Sequence, residues 1–494
     1  MAKFEVKLFL VVALLSICYS VAFSRTFNTL QPDTLGRITI DSARLVTINR
    51  ILIIGNKRTR DQIISRELSL KTSDTVRFYK LPEILSLDKR KIYNLRLFNT
   101  VTIRSLEMSY NTIDLLVEVD ERWYTWPIPI FELSDRNFNE WWQNYNHDFG
   151  RVNYGLRLEQ YNCRGRNETL KLTAQFGFAQ RYELSYVIPY LDKRQKQGLI
   201  LNFEFGALRN LAAQTIDHKI RFLPTDSTVL FDGNPILRNS IQAQATYTYR
   251  KSFFETHSFS VGYRANDIFD QVAVYNPNYF NNTTNKQKYT MLSYTFRSEH
   301  RDVVMYPLNG YQFSAHIQKN GLGWEGEVNQ WILNLTHAYH HDLKKGYNLS
   351  NFCSLYLSDP MRQPYNLLGA LGYQRQIVRG YEVYVIEGPK FFVNKTTFKK
   401  KIYSSASRWE NMPLEQFKHV PFAIFWKAFA DFGYVQNYIN YEEKNRNTRL
   451  SDKLLAGAGT GVDIVLPYDI VFRLEYTFTR EATQGFFFNL KKDF

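Results

Sequence analysis

The chain has 494 residues, of which 62 are Lys or Arg and 47 are Asp or Glu, and its formal net charge is +15 at pH 7. Its mean hydropathy is only −0.36, and no run of about 18 apolar residues follows residue 24, which argues against a helical membrane protein. A soluble fold, however, would have difficulty burying 33 Tyr and 37 Phe. A transmembrane barrel places such residues against lipid and in its interfacial girdles.

Residues 1–24 have the pattern of an export signal. Two lysines precede an almost wholly apolar run, Leu8 to Ile17, which is too short to span a bilayer as a helix, and Ala22-Phe23-Ser24 can serve as a cleavage site. A buried strand or helix is the alternative for this run. Lipidation of Cys18 is disfavoured because Ile17 is larger than the residue that such sites require. Residues 25–46 are polar and are predicted to be a linker.

Residues 47–122 are predicted to form a small α+β domain. An Ile-rich strand, Ile48 to Ile54, ends at Gly55-Asn56, and Thr59 can cap the helix that follows. A second helical stretch and two strands, Val101–Leu106 and Ile113–Val119, complete the order strand, helix, helix, strand, strand. Such an order can fold as a sheet covered on one face by two helices.

From residue 124 to residue 494 the pattern is repeated alternation of apolar and polar residues. In Arg181–Tyr190, for example, one face carries Tyr182, Leu184, Tyr186, Ile188 and Tyr190. Because successive side chains of a strand point to opposite faces, each such segment has one apolar and one more polar face. About 17 strands can be counted; since bacterial single-chain barrels are even-numbered and the stretch 214–223 is the weakest, the prediction is 16.

A β-sandwich would also give alternating strands, apolar inward and polar outward. Two features favour a membrane barrel instead. The best-defined strands are about ten residues long, as tilted membrane strands must be, and no clear helical interlude interrupts the pattern. The predicted fold is therefore a transmembrane antiparallel β-barrel of about 16 strands, preceded by the small α+β domain.

The sequence gives no sign of catalysis or of a cofactor. The two cysteines outside the signal, Cys163 and Cys353, form no disulfide framework or metal motif, and the histidines show no ligand spacing. Nucleophile elbows and phosphate loops are lacking, and no nucleic-acid-binding motif accompanies the charge. The positive charge fits a basic lumen and solvated loops, or attraction to anionic lipid headgroups or an acidic client.

Several motifs of the barrel region occur together and in order. They are Tyr306-Pro307-Leu308-Asn309-Gly310, Val378-Arg379-Gly380-Tyr381, Phe429-Ala430-Asp431-Phe432-Gly433, and a C-terminal Phe494 preceded at alternate positions by Phe486, Phe488 and Leu490. With these motifs the chain resembles the BamA/TamA superfamily of outer-membrane assembly barrels, or bacterial surface antigens. Residues 47–122 resemble one POTRA domain, and Glu121 to Pro127 is similar to relatives from Bacteroidetes-type bacteria.

The resemblance implies that Val378-Arg379-Gly380-Tyr381 lies on a loop that folds back into the lumen and that Arg379 pairs with Asp431. A guanidinium can form a fork on a carboxylate, and Gly380 permits a sharp turn. The alternative is an ordinary external loop with an exposed arginine. Many relatives carry an acid on the strand after this loop, but here the sequence is Asn394 to Lys399. Asp431 therefore acts alone or with an acid not identified from the sequence.

The first barrel strand, about Tyr124 to Leu133, contains Pro127 and Pro129. Both prolines remove N–H donors from the same edge, which we predict to face the last strand, ending at Phe494, and to weaken the seam. The alternative is that the prolines only blunt an edge before the barrel begins. The resemblance further implies that the C-terminal signal formed by Phe486, Phe488, Leu490 and Phe494 is the feature by which such barrels are recognised.

The resemblance implies an assembly or insertion factor of the bacterial outer membrane, in which a client strand is templated at the seam and the POTRA-like domain, in the periplasm, receives unfolded client. The expected partners are membrane lipid and lipopolysaccharide, unfolded outer-membrane proteins and accessory lipoproteins, with no nucleic acid, metal or cofactor. The alternative is a translocation pore for protein or lipid. A passive porin is disfavoured by the POTRA-like domain.

Overall fold

The computed structural model describes residues 44–133, 149, 152–209, 211–223, 236–281, 284–323, 328–372, 376–438 and 446–492. The predicted signal, residues 1–24, and nearly all of the predicted linker, residues 25–46, lie outside this part of the chain. Phe494 lies outside it as well.

The N-terminal domain is a four-stranded sheet with two helices on one face, as predicted. Its elements are β1 (Leu45–Ile54), α1 (Asp61–Ser65), β2 (Thr75–Arg77), α2 (Leu81–Tyr93), β3 (Phe98–Ser109) and β4 (Thr112–Glu121). The sheet order is β2-β1-β4-β3, with β1 parallel to β4. Fully buried aliphatic side chains, among them Ile48, Ile64 and Val117, form the core between sheet and helices. Strand β2 was not predicted, because three residues are too few to show alternation.

The described residues from Thr125 onward contain one 16-stranded antiparallel sheet, which confirms the predicted fold class. Its strands are β5 (Thr125–Leu133), β6 (Val152–Cys163), β7 (Glu168–Gly177), β8 (Ala179–Ile188), β9 (Gln197–Leu208), β12 (Arg238–Arg250), β13 (Glu255–Ile268), β14 (Lys286–Glu299), β15 (Gly310–Asn320), β16 (Gln330–Lys344), β17 (Tyr347–Asp359), β20 (Lys390–Arg408), β21 (His419–Gln436), β22 (Leu454–Val465), β23 (Ile470–Thr479) and β24 (Gln484–Lys492). Each strand pairs with its neighbour in the chain order, from β5 to β24.

In the part of the barrel region that the structure describes, four short strands and two short α-helices lie outside this sheet. Strands β10 (Ala212–Ile216) and β11 (Lys219–Phe222) form a separate hairpin, so the stretch 214–223 is not a barrel strand. Strands β18 (Ala370–Leu371) and β19 (Ile386–Glu387) pair within the loop between β17 and β20. The helices are α3 (Asp270–Tyr275) and α4 (Glu415–Lys418).

The two faces of the barrel wall differ in the sense expected for a cylinder in lipid. On β21, Phe432 is 46% exposed on the outer face, whereas the neighbouring Asp431 is fully buried on the inner face. This is the reverse of a soluble core, and it follows the predicted alternation of the strands. In the described residues, no helix is long and apolar enough to cross a membrane.

The barrel has two ends. The proximal end is where β5 begins and the N-terminal domain lies. The distal end carries the long loops, including residues 209–237 and 360–389.

Candidate functional site

The loop between β17 and β20 enters the barrel from the distal end. Val378 and Tyr381 are buried against side chains of the barrel wall, among them Val435 and Leu455. Gly380 has a φ of 98°, and a Cβ there would lie 2.5 Å from Cγ2 of Thr479, so the turn requires glycine. The Tyr381 hydroxyl donates to the Glu481 carboxylate. We call residues 376–389 the tucked loop.

The Arg379 guanidinium forms a two-pronged contact with the Asp431 carboxylate. Nε donates to Oδ2 at 2.7 Å and Nη2 donates to Oδ1 at 2.6 Å, while the Arg379 backbone N–H reaches Oδ2 at 3.1 Å. Nη2 also donates to Oγ1 of Thr397 at 3.0 Å, and the guanidinium lies 3.8 Å from the Phe429 ring centroid. The structure therefore brings together the two residues that the resemblance paired, and it adds two further contacts.

A second acid approaches Arg379 from β23. Glu475 Oε1 lies 3.6 Å from Nη1 of Arg379 and 2.6 Å from Nζ of Lys427, which also contacts Asp463 Oδ1 at 2.5 Å. This is the acid that sequence reasoning could not identify. Its signal was present in the alternation of Phe472 to Phe478, where Glu475 falls on the inner face, but alternation does not show which inner acids converge.

The ionic network continues to the proximal end. The Tyr306 hydroxyl, in the turn between β14 and β15, donates to Asp463 Oδ2 at 2.9 Å, and Lys399 Nζ lies 4.3 Å from the Tyr306 ring. These groups line a cavity of about 510 Å³ in the lumen. Contacts therefore connect the tucked loop with a proximal turn through side chains of β21, β22 and β23.

Glycines on the inner face of the wall make room for the tucked loop. A Cβ at Gly457 would lie 2.0 Å from the carbonyl oxygen of Arg379, and one at Gly433 would lie 2.5 Å from Cγ2 of Val378. Sequence reasoning missed these positions. Their signal is the spacing of Gly457, Gly459 and Gly461 at every second residue of β22, which leaves one face of a strand without side chains and marks a close approach.

The N-terminal domain lies against the proximal end of the barrel. Arg250, at the end of β12, donates from Nη1 and Nη2 to the two oxygens of Glu67 at 2.8 and 3.1 Å. Arg122 contacts Asp469 at 2.7 Å, and the Asn94 amide bonds to the β14–β15 turn. Because the contacted turns lie on different sides of the barrel, the domain covers its proximal mouth.

Strands β5 and β24 are the two edge strands of the 16-stranded sheet, and within the described residues no backbone pairing between them is present. Tyr161 N donates to Tyr124 O at 2.7 Å, which makes the even-numbered positions of β5 those that exchange bonds with β6. The backbone of Pro127 and Pro129 therefore faces the opposite edge of β5, which has no strand partner within the described residues. Phe486 and Phe488 on β24 are 65% and 58% exposed on the outer face; the side chain of Leu490 lies outside the described residues, like Phe494.

The distal end is covered by the β10–β11 hairpin, and His218 is a central contact of this cover. Nε2 of the buried His218 accepts from Leu450 N at 2.9 Å, and its carbonyl accepts from Val385 N at 2.8 Å. Burial, with the nearby charge of Arg449, lowers the pKa of His218 from 6.5 to about 4. The folded imidazole is thus neutral at pH 7.

Acidification is expected to loosen this cover. A released imidazole takes up a proton below about pH 6.5, whereas the buried one resists until about pH 4, so the stability of the cover falls as the pH drops through this interval. At about 1.36 kcal/mol per pKa unit, the loss approaches 3 kcal/mol. The protection factor of the Leu450 amide, which is its intrinsic hydrogen-exchange rate at each pH divided by the observed rate, should fall between pH 6.5 and 4 in the wild type and show little of this dependence in His218→Asn. An equal dependence in both proteins would contradict the assignment.

Within the described part of the chain, no group of three or more His, Cys, Asp or Glu side chains could hold a metal ion. Cys163 and Cys353 are free thiols.

Comparison with protein families assigns most of the chain. Residues 162–494 match the family model described as the Omp85 superfamily domain. The chain belongs to the Omp85 superfamily. Residues 46–122 match a POTRA model described as a surface antigen variable number repeat. The superfamily assignment makes this chain an outer-membrane β-barrel protein with one POTRA domain, whose proximal end is the periplasmic end.

The chain is also similar to solved structures, one of which has a TM-score above 0.5 and shares the fold. The match with CdiB from Escherichia coli covers 90% of this chain and 76% of the CdiB chain, with 9% sequence identity and a TM-score of 0.55. A second similar structure is BamA from Haemophilus ducreyi lacking POTRA domains 1–3, with 14% identity and a TM-score of 0.49; the match covers 90% of this chain and 85% of that one. A third is CdiB from Acinetobacter baumannii, with 13% identity and a TM-score of 0.47; the match covers 90% of this chain and 73% of that one. Among curated protein sequences, none matches this chain. The Bacteroidetes-type likeness stays a prediction.

Proposed function

We propose that this Omp85-superfamily protein is an assembly or insertion factor for outer-membrane proteins, which exposes a strand edge at its β5–β24 seam to an incoming client strand. The observation that supports the proposal is the position of Pro127 and Pro129, whose backbones face away from β6, on the edge of β5 that would form the seam. Residues 1–24 would be the export signal that directs the chain toward that membrane.

Two prolines on the seam edge weaken its pairing for a simple reason. Strand partners exchange N–H and C=O groups, and each proline leaves an acceptor on the partner without its donor. With a net value of about 0.5–1.5 kcal/mol per backbone hydrogen bond, two missing donors cost about 1–3 kcal/mol. A seam weakened by this amount can open, and the free edge of β24, which contains no proline, can then pair with a client strand.

The POTRA domain supplies a second place for client. Among the described strands, its edge strand β3 pairs with β4 on one side only, and the second half of β3, from Arg104 to Ser109, is exposed. An extended polypeptide could add to this edge through backbone hydrogen bonds without sequence requirements. The tucked loop, held by Arg379 and Asp431, would serve as a lock that keeps the wall next to the seam in one arrangement.

Depletion of the protein, followed by proteomics of the outer membrane, tests the function. Broad loss of β-barrel proteins is the expected result. Selective loss of one secreted protein, with the barrels unchanged, would contradict the proposal and favour an export pore.

Restoring the missing donors is expected to tighten the seam. In the double variant Pro127→Val and Pro129→Val, two new N–H groups face β24, and the closed seam should be favoured by one to two orders of magnitude. The measurement is disulfide trapping between a cysteine in β5 and a series of cysteines in β24, in a chain without Cys163 and Cys353. Client insertion should slow in parallel.

Phe131→Val is the matched control, because Phe131 lies on the same outer face and its N–H faces the same edge, so the change adds no donor. Seam trapping that is the same in the double variant and in the control would argue that the prolines only blunt the strand.

A further inference from the structure

Strands β20 and β21 are longer than their neighbours and continue beyond them at the periplasmic end. β20 has 19 residues, but its register with β17 ends at Lys400, opposite Tyr347, and Lys401 N donates to Gly346 O as the last backbone bond on that side. Its pairing with β21 continues to Arg408, opposite His419. Residues 402–408 therefore have a partner on one side only, in the part of the chain that the structure describes.

The register of the hairpin shows which backbone groups face this open edge. Trp409 N donates to Lys418 O, so Tyr403, Ser405 and Ser407 exchange bonds with β21. The N–H and C=O groups of Ser404, Ala406 and Arg408 consequently point away from β21. The side chains of these three residues are exposed, and that of Arg408 contacts the acids Glu410 and Glu415 at the tip of the hairpin.

The opposite edge of the same hairpin is blocked. Pro421 on β21 lies opposite Ala406, which places its ring nitrogen, without a hydrogen, on the outward edge of β21. Proline and charged residues are the usual means by which proteins prevent strand addition at an open edge. The β20 edge has neither between Tyr403 and Ser407. A register shift between Lys401 and Tyr403 marks its start, and the charge of Arg408 at its end is paired with Glu410 and Glu415. One edge of the hairpin is protected and the other is left available.

The hairpin is held in place at its tip. The Gln416 carbonyl accepts from the Asn99 amide of the POTRA domain at 2.8 Å and from the Tyr468 hydroxyl at 2.9 Å. The Phe417 ring lies 6.1 Å from that of Trp126, at the start of β5. The open edge is thus a preformed one, fixed between the POTRA domain and the foot of the seam.

We propose that the β20 edge at residues 402–408 binds an extended strand of an unfolded client barrel before that strand reaches the seam. The inference rests on the proposed function. Seven residues at about 3.3 Å each offer roughly 23 Å of edge, enough for most of a membrane strand. On the outer face Tyr403, 52% exposed, lies 6.0 Å from the Phe422 ring and is followed by Ser405 and Ser407, whereas the inner face carries Ser404, Ala406 and Arg408. A barrel client strand fits this edge when it places an apolar residue beside Tyr403 on its outer face and a polar residue beside Arg408 on its inner face.

Site-specific photocrosslinking tests the proposal in the full-length protein reconstituted in vesicles. A photoreactive residue at Ser404 should crosslink to a radiolabelled unfolded barrel client during insertion. Ala406→Pro removes one outward donor without touching a bond to β21, and it should reduce this crosslink at least fivefold. Ala406→Val keeps the donor and should leave the crosslink unchanged. Resistance of each variant to SDS at room temperature checks that the barrel is folded. Ser404→Pro removes a second outward N–H donor, and its effect is measured with the photoreactive residue placed at Arg408.

A probe at Phe131, beside the seam, separates this inference from the proposed function. Two outcomes would contradict client binding at the β20 edge and leave the proposed insertion function intact. In the first, the client crosslinks at Phe131 but not at Ser404; in the second, it crosslinks at both positions but neither proline variant changes the crosslink. A crosslink from Ser404 to a folded protein instead of the client would also contradict client binding at this edge. Absence of client crosslinks at both positions would contradict the proposed insertion function itself, and therefore also the binding of a client strand at the β20 edge.

Discussion

Replacement of Asp431 by asparagine is expected to release the tucked loop from the lumen. Asp431 is fully buried and receives both prongs of the Arg379 fork, so the nearest acid to the buried guanidinium in the variant, among the described residues, is Glu475 at 3.6 Å. Breaking a buried ion pair by removing one partner costs about 3–5 kcal/mol, which corresponds to a population change of about two to four orders of magnitude. A cysteine at Val378, buried in the wild type, should therefore react with a thiol reagent at least a hundred times faster.

Two further variants make this result specific. Glu410→Gln removes one acid of the exposed contact with Arg408 and should change the reactivity by less than threefold, because exposed ion pairs contribute little. Gly457→Val alters no charge, yet its side chain would occupy the space of the Arg379 carbonyl, and it should also release the loop. Unchanged protection of Val378 in both Asp431→Asn and Gly457→Val would show that the fork does not hold the loop.

The pair formed by Arg379 and Asp431 could be anticipated from the sequence, because each residue lies in a short motif that resembles a known family. Glu475 and Lys427 could not be assigned in the same way. They belong to no such motif, and their meeting depends on the registers of β21, β22 and β23, which alternation alone does not determine. The same limit applies to Gly457, whose purpose is visible only once the loop that it faces is in position.

Alternation predicted the barrel and its strand number well because it is a local property of the chain. The extension of β20 and β21 beyond their neighbours is different, since it is defined by where the adjacent strands end. The docking of the POTRA domain was also out of reach, because Glu67 and Arg250 are distant in sequence and neither stands out by residue type. Contacts between surfaces depend on the relative placement of domains, which no periodicity encodes.

Replacement of Glu67 by glutamine is expected to release the POTRA domain from the periplasmic mouth. Glu67 is 1% exposed and lies between Arg250, which forms a fork on it, and Arg66, whose Nε is 3.6 Å away. Burial, the largest cause, and the charge of Arg250 already lower the pKa of Arg66. Without the carboxylate, two guanidinium groups share a buried site with no anion between them, and about 3–5 kcal/mol of docking free energy should be lost. Double electron–electron resonance between spin labels at Tyr110 and Lys193 should change from one distance to a broad distribution.

Glu118→Gln is the matched control, since Glu118 contacts Arg104 on the exposed surface of the same domain and its loss should leave the distance unchanged. A single narrow distance in Glu67→Gln would contradict the role given to this ion pair. The docked domain covers the mouth through which a client must approach both the lumen and the seam. A client that can bind the POTRA domain only after the domain has undocked must overcome this docking free energy. Glu67→Gln should therefore strengthen the binding of such a client to the POTRA domain. The binding of a client that enters beside the docked domain should not change in this variant.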